Sequence, residues 1–332
     1  MSAQLRHRIV LKLFDTMFYP QHSEQAKQRM TKQDRQIARD ITYATSAKGR
    51  SGRAMIKVLE NTTGRMRLIR KAKGYQDEVA SGADFWGVMT TRYGLSLDVI
   101  AGSLENIPTT GPIIIVANHP YGILDGLMMG HILSTRRKGN FKVLANHVFR
   151  KAPDLEKAIL PISFDGTKAA MKENIQTRAR ALEYLGEGGA IAVFPGGTVS
   201  TAPGLRKPAL DPQWRNFTAK MIAKSDATVI PIFFEGRNSR LFQLASRLHS
   251  TLRLGLLIRE FKSRVNTPVR VAIGEPIPRA TLDQFRNDPT AAMDFLRKAT
   301  YDLSLSPIDS DMLGYEFEDK YKERRDGSRD LR

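Results

Sequence analysis

From about residue 85 onward the chain alternates short β-branched runs with helix-length segments, and no other feature restricts its possible folds as much. Ile113–Ala117 reads as a strand, followed by a helical stretch through Leu127, Met128, His131 and Ile132. Residues 141–145 read as the next strand and 167–185 as a long helix, which Glu187-Gly-Gly punctuates before a strand over 190–194. A helix over 214–224, a strand over Thr228–Phe234, a helix over 241–261 and a strand over 269–273 complete the alternation. Strands separated by helices need crossover connections, which set them parallel and bury both sheet faces under helices. The expected fold class is α/β: a mixed, mainly parallel sheet flanked by helices, with a basic helical N-terminal region.

Charge divides the chain. The whole carries 52 Lys+Arg against 34 Asp+Glu, a formal net charge of +18. Residues 1–74 hold 17 of the basic residues and only 5 acidic ones, whereas residues 301–332 hold 6 basic and 9 acidic. Ile9, Leu13 and Met17, with Val10 and Phe14, form a stripe on a helix that begins among Arg6 and Arg8, and further helical stretches run over 32–44 and 52–61. A basic amphipathic region of this kind fits either a solvated extension or an anionic membrane surface. The expected divisions are a basic helical membrane-associating region over 1–84, a central α/β domain over 85–300 and a charged C-terminal tail over 301–332.

Composition excludes several chemistries. The chain has no cysteine, which removes disulfides, thiolate metal sites and cysteine nucleophiles. No run of about 18 apolar residues suggests a membrane span, and the opening residues have no charge-free apolar stretch of the signal-peptide kind. His131 falls on the apolar face of its helix and His147 has no ligand spacing around it, so no metal site is expected. Gly186-Glu-Gly-Gly lacks the layout of a dinucleotide loop and no Walker lysine is present. Basic clusters without interleaved aromatics or a recognisable motif argue against a nucleic-acid partner.

The densest signal is Asn118-His-Pro-Tyr-Gly-Ile-Leu-Asp125-Gly, directly after the Ile113–Ala117 strand. An imidazole leaving the carboxyl end of a buried strand, with a carboxylate at the next helix entry, has the make-up of a general base and its orienting partner. In isolation the same residues also describe a capping aspartate beside a turn histidine. A second segment, Phe194-Pro-Gly-Gly-Thr-Val-Ser200, follows another strand: Gly196 and Gly197 let backbone approach a ligand, and Thr198 and Ser200 offer hydroxyls. A third, Val229-Ile-Pro-Ile-Phe-Phe-Glu-Gly236, leads into Arg237-Asn-Ser-Arg-Leu-Phe242.

In this order and spacing the three segments resemble the glycerolipid acyltransferase superfamily of the PlsC type, over about residues 95–275. The forms His-Pro-x-Gly-x-x-Asp-Gly and Gly-Arg-Asn-Ser-Arg-Leu-Phe look like a hemolysin-like bacterial branch that acylates lysophospholipids and lyso-aminolipids. The resemblance implies that His119 deprotonates an acceptor hydroxyl while Asp125 orients it, with no acyl-enzyme. No cofactor is implied; acyl-carrier protein or coenzyme A brings the acyl thioester as co-substrate. Asn118, Tyr121, Gly122, Asp165, Lys168, Phe194, Pro195, Gly196, Gly197, Thr198 and Ser200 become the candidate substrate contacts. The implied partners are a lysolipid acceptor and an anionic membrane, with the protein peripheral on the cytoplasmic face of the inner membrane.

Three departures bear on the acceptor. The His–Asp interval holds five residues rather than four. Gly196 and Val199 stand where the family pattern has Glu and Arg, and residues 161–167 lack the family's second arginine, Lys168 and Lys172 being the nearest cations. A bidentate guanidinium clamp is poorly replaced by lysine, so the expected acceptor is a lyso-aminolipid of the ornithine-lipid type. The alternatives are lysophosphatidate, giving phosphatidic acid, and a non-catalytic lipid- or nucleic-acid-binding protein.

Overall fold

The computed structural model describes residues 41–44, 47, 49–146, 153–163, 167–204 and 206–317. The expected stripe of Ile9, Leu13 and Met17 lies outside them, as do residues 32–40 of the second stretch. Helices α1 (Arg50–Thr63), α2 (Arg65–Ala72), α3 (Tyr75–Ala80) and α4 (Phe85–Tyr93) lead into strand β1 (Ser96–Gly102). Then come β2 (Ile113–Ala117), α5 (Ile123–Arg137), β3 (Phe141–Asn146), α6 (Pro153–Glu156), β4 (Ile159–Ile162), α7 (Lys168–Gly186) and β5 (Ala190–Val193). The chain continues through α8 (Phe217–Ile222), β6 (Thr228–Phe234), α9 (Arg240–Leu248), α10 (Ser250–Arg264), β7 (Pro268–Ile273), α11 (Arg279–Asp283) and α12 (Pro289–Tyr301).

The seven strands form one sheet in the order β1-β7-β6-β2-β5-β3-β4. Every neighbouring pair is parallel except β6 with β7. The expected mixed, mainly parallel sheet flanked by helices is therefore present. β2 lies at its middle, in register with β5 through Ile113↔Ala190 and with β6 through Ala117↔Ile232. A strand covered on both faces has no polar side to show, which is why Ile-Ile-Ile-Val-Ala reads as an unbroken apolar run. Ile113, Ile115 and Ala117 face the layer containing Trp86, Met128 and Ile132. Ile114 and Val116 face the opposite layer with Leu185, Trp214 and Leu296.

Two expected boundaries give way to packing. Residues 50–80 are no separate unit, because Leu68, Ile69, Ala72 and Tyr75 are buried in the same core as β2. Residues 302–317, expected as part of a charged tail, strap back over the sheet end. Gly314 N–H donates to Asp211 O and Tyr315 N–H to Thr201 O, each at 2.8 Å. Arg215 and Glu316 form a two-pronged ion pair at 3.0 and 2.9 Å. Leu303, Ile308 and Met312 pack with Phe233 and Tyr301. Net acidity suggested an exposed tail, but the apolar residues spaced among the charges decided the outcome. The expected single helix over 241–261 is two, broken at His249, whose extended backbone (φ −161°, ψ 132°) ends one helix and caps the next. Among the described residues no helix is long and apolar enough to cross a membrane.

Candidate active site

The three sequence segments converge because they leave the carboxyl ends of three adjacent strands, β6, β2 and β5. In open α/β sheets this edge is where side chains meet a ligand. His119 lies two residues past β2, and the Ser200 N–H donates to its carbonyl at 2.8 Å, joining the first segment to the second. Its ring stacks on Phe194 with centroids 4.3 Å apart and is 19% exposed.

His119 Nδ1 lies 3.0 Å from Asp125 Oδ2, without the alignment of a full hydrogen bond. Base–orienter pairs commonly straighten in the reacting complex. Asp125 is fully buried in the first turn of α5. Its Oδ2 also accepts the N–H groups of Tyr121 at 2.7 Å and Gly122 at 2.9 Å. The capping role and the histidine-pairing role thus belong to one carboxylate. Burial raises the Asp125 pKa, opposed by the contacts with His119 and by the two backbone donors. A carboxylate that is costly to bury as an anion gains most from a cation forming beside it. With Nδ1 facing Asp125, Nε2 is the ring nitrogen left to take a proton.

The five-residue interval is absorbed at Gly122, whose φ of 88° and ψ of −117° suit glycine alone. A Cβ there would lie 3.2 Å from Val199 Cγ2. Gly122→Ala is expected to cost about 1–3 kcal/mol of stability and to misplace Asp125, lowering activity as well. Denaturant unfolding and an acyl-transfer assay on the same preparation would check both, and an alanine variant matching wild type in both would refute the strain.

Other candidate residues have varied fates. Asn118 is buried, and its amide accepts from Phe234 N at 2.7 Å and donates to Phe234 O at 2.9 Å. It extends the β2–β6 pairing rather than facing a substrate. Tyr121 donates its hydroxyl to Glu235 O at 2.9 Å beneath the Arg264 guanidinium, and burial pushes its phenol up to about 12. Pro195 O accepts from Arg215 N at 2.9 Å, and Gly197, at φ 67°, turns the second segment. Thr198 and Gly197 are partly exposed beside His119's segment, whereas Ser200 is buried. Asp165 lies outside the described residues. Lys168, exposed at the start of α7, follows β4, three strand positions from β2 and so roughly 14 Å away at about 4.8 Å per strand. It thus follows the edge strand of the sheet, whereas His119 follows the central one.

Three residues that sequence reasoning missed hold the site together. Asp211 is fully buried; its Oδ1 accepts from His119 N at 3.2 Å and from the Ser200 hydroxyl, and its Oδ2 accepts from Trp214 Nε1 at 2.9 Å. Its Cβ would be 3.2 Å from a side chain grown on Gly196, so a larger residue is crowded out there. Arg253, from α10, is 6% exposed and donates to Thr198 Oγ1 at 2.6 Å, Thr201 Oγ1 at 2.7 Å and Val199 O at 2.9 Å. No carboxylate among the described residues pairs with it, it lies over the Phe242 and Phe317 rings, and burial pulls its pKa down to about 9. It delivers a guanidinium to the loop where Val199 replaces the motif arginine. Tyr43, before α1, reaches the same place: its hydroxyl would be 3.5 Å from a Cβ on Gly122. None of these has a motif signal, since each arrives from a distant part of the chain. Among the described residues, no cluster of His, Asp or Glu could hold a metal ion.

Two relatives, each called a lyso-glycine lipid O-acyltransferase, come from Phocaeicola vulgatus and Bacteroides thetaiotaomicron. The first is 28% identical over 60% of this chain and 71% of its own. The second is 28% identical over 63% of this chain and 76% of its own. The crystal structure of a 1-acyl-sn-glycerophosphate acyltransferase, PlsC, from Thermotoga maritima superposes with a TM-score of 0.41 at 16% identity, covering 80% of this chain and 87% of that one. A family model described as acyltransferase matches residues 84–310, a span that includes the loops after β2, β5 and β6, and the chain therefore belongs to this acyltransferase family.

Proposed function

We propose that the protein moves a fatty acyl group from an acyl thioester to a hydroxyl of a lyso-aminolipid, with His119 as general base and Asp125 orienting it. Nε2 of His119 takes the hydroxyl proton, and the acceptor oxygen attacks the thioester carbonyl. The C–S bond breaks, and the departing thiolate recovers the proton from the imidazolium. The observation that carries this reading is the His119–Asp125 contact of 3.0 Å at the carboxyl end of the central strand. Its ring stands beside Phe194, at the start of the glycine-containing loop.

An amino-acid headgroup, of the glycine or ornithine kind, fits the residues better than a phosphomonoester. Positions 161–163 and 199 supply no arginine, and both named relatives act on lyso-glycine lipid. Lysophosphatidate is the second reading, favoured by Arg253, whose guanidinium stands at Thr198. The thioester donor, acyl-carrier protein or coenzyme A, and a peripheral station on the cytoplasmic membrane face belong to the same proposal.

The test crosses both donors with lyso-glycine lipid, lyso-ornithine lipid and lysophosphatidate, using purified full-length protein. Preference for an amino-acid lipid is the expected result. Equal or better turnover of lysophosphatidate would overturn the acceptor assignment.

A further inference from the structure

Helix α9 has two unlike faces. Phe242 and Ala245 are buried against Val199, Leu256 and Leu257, and the Gln243 side chain accepts the Ala202 N–H at 2.9 Å, so this helix roofs the loop that carries Thr198 and Ser200. Its other face shows Leu241, Leu244 and Leu248 at 49%, 43% and 69% exposure. At about 100° per residue the three leucines fall within about 60° of the helix circumference, and Arg240 and Arg247 border that stripe on one side. Isolated exposed leucines need no explanation, but three on one stripe of a single short helix do.

Charge identifies what covers the stripe. From Gly236 to Arg259 the sequence has five arginines and no Asp or Glu. Arg237, Arg240 and Arg247 are exposed, and none pairs with a carboxylate among the described residues. An apolar stripe bordered by unpaired guanidinium groups matches the interface of an anionic bilayer, where leucines enter the acyl region and arginines meet headgroup phosphates.

We propose that α9 is a membrane-docking helix, seating Leu241, Leu244 and Leu248 in an anionic lipid surface so that the loop beneath it opens at the interface. This rests on the reading that the acceptor is a lysolipid, and it explains how an acceptor with poor water solubility would reach His119. The proposal does not depend on the basic residues before position 41.

The test uses full-length protein and vesicles of phosphatidylglycerol and phosphatidylethanolamine, with phosphatidylcholine vesicles as the neutral control. Leu241→Ser/Leu244→Ser/Leu248→Ser is expected to weaken partitioning by about tenfold or more. Arg240→Gln/Arg247→Gln is expected to lose about fivefold per arginine on the anionic vesicles only. Because the chain has no cysteine, Leu244→Cys accepts a single environment-sensitive label, whose emission should shift blue when vesicles are added. Turnover of a short-chain, monomerically soluble lysolipid should be the same in the leucine variant as in wild type. Wild-type partitioning by the leucine variant would overturn the proposal. So would a label already in an apolar setting without vesicles, the sign of a second copy or another part of the chain on that face. If wild type turns over no lysolipid while binding stays leucine-dependent, the acceptor reading fails and the docking surface stands.

Discussion

Replacing His119 by alanine is expected to lower acyl transfer by about 10²- to 10⁴-fold, the range over which a positioned general base acts, with little loss of stability. The imidazole stacks on Phe194 and keeps an edge open to solvent, and the bonds of His119 to Asp211 and Ser200 run through its backbone, which alanine retains. Asp125→Asn is the sharper companion. An asparagine carbonyl can still accept the Tyr121 and Gly122 N–H groups, which keeps the turn, but it cannot balance a positive imidazolium. The expected signature is a fall in kcat of about two to four orders of magnitude with an unfolding midpoint near that of wild type. Should Asp125→Asn retain near wild-type turnover, the carboxylate is a cap and nothing more. Should His119→Ala retain it, the base role is lost with it.

Asp211→Ala is expected to be the most destabilising single change at the site. It strands the His119 N–H, the Ser200 hydroxyl and the Trp214 indole N–H, two of them on residues that are themselves buried. At about 1–3 kcal/mol for each unsatisfied buried group, the loss should reach about 3 kcal/mol or more. Activity should fall too, because among the described residues the loop holding Ser200 is then hydrogen-bonded to the His119 segment only through the Ser200 N–H. Asp211→Asn has one acceptor atom rather than two, so it should satisfy either Trp214 or the Ser200 side and show an intermediate loss. Urea unfolding alongside the acyl-transfer assay would read both effects. An alanine variant within about 0.5 kcal/mol of wild type would show that these contacts have no structural weight.

Much of this architecture is legible along the chain because its cause is local. An apolar, β-branched run of five residues between turn signals is short for a helix and reads as a strand buried on both faces, and β2 is such a strand. Glycine at position 122 announces a turn that side-chain-bearing residues avoid. The segments after β2, β5 and β6 carry their chemistry within a few residues of a strand end, where side-chain direction follows from the strand itself. β1, by contrast, is half-exposed, with Asp98 near its middle, and its pairing with β7 spans some 170 residues of sequence. No local pattern announces such a strand. β4 is only four residues long, too short to show a period.

The chain by itself therefore determined the sheet class, the ends of the central strands and the closeness of His119 to Asp125, each of which depends on neighbours a few residues away. Tertiary structure alone decided which remote groups close the site. Asp211 reaches His119 across 92 residues and Arg253 reaches Thr198 across 55. Buried polar groups must find partners wherever the folded chain happens to bring them, and sequence distance carries no record of that choice. The same reason applies to residues 302–317, whose charges suggested a tail but whose buried contacts with Asp211, Thr201 and Arg215 make them part of the site's frame.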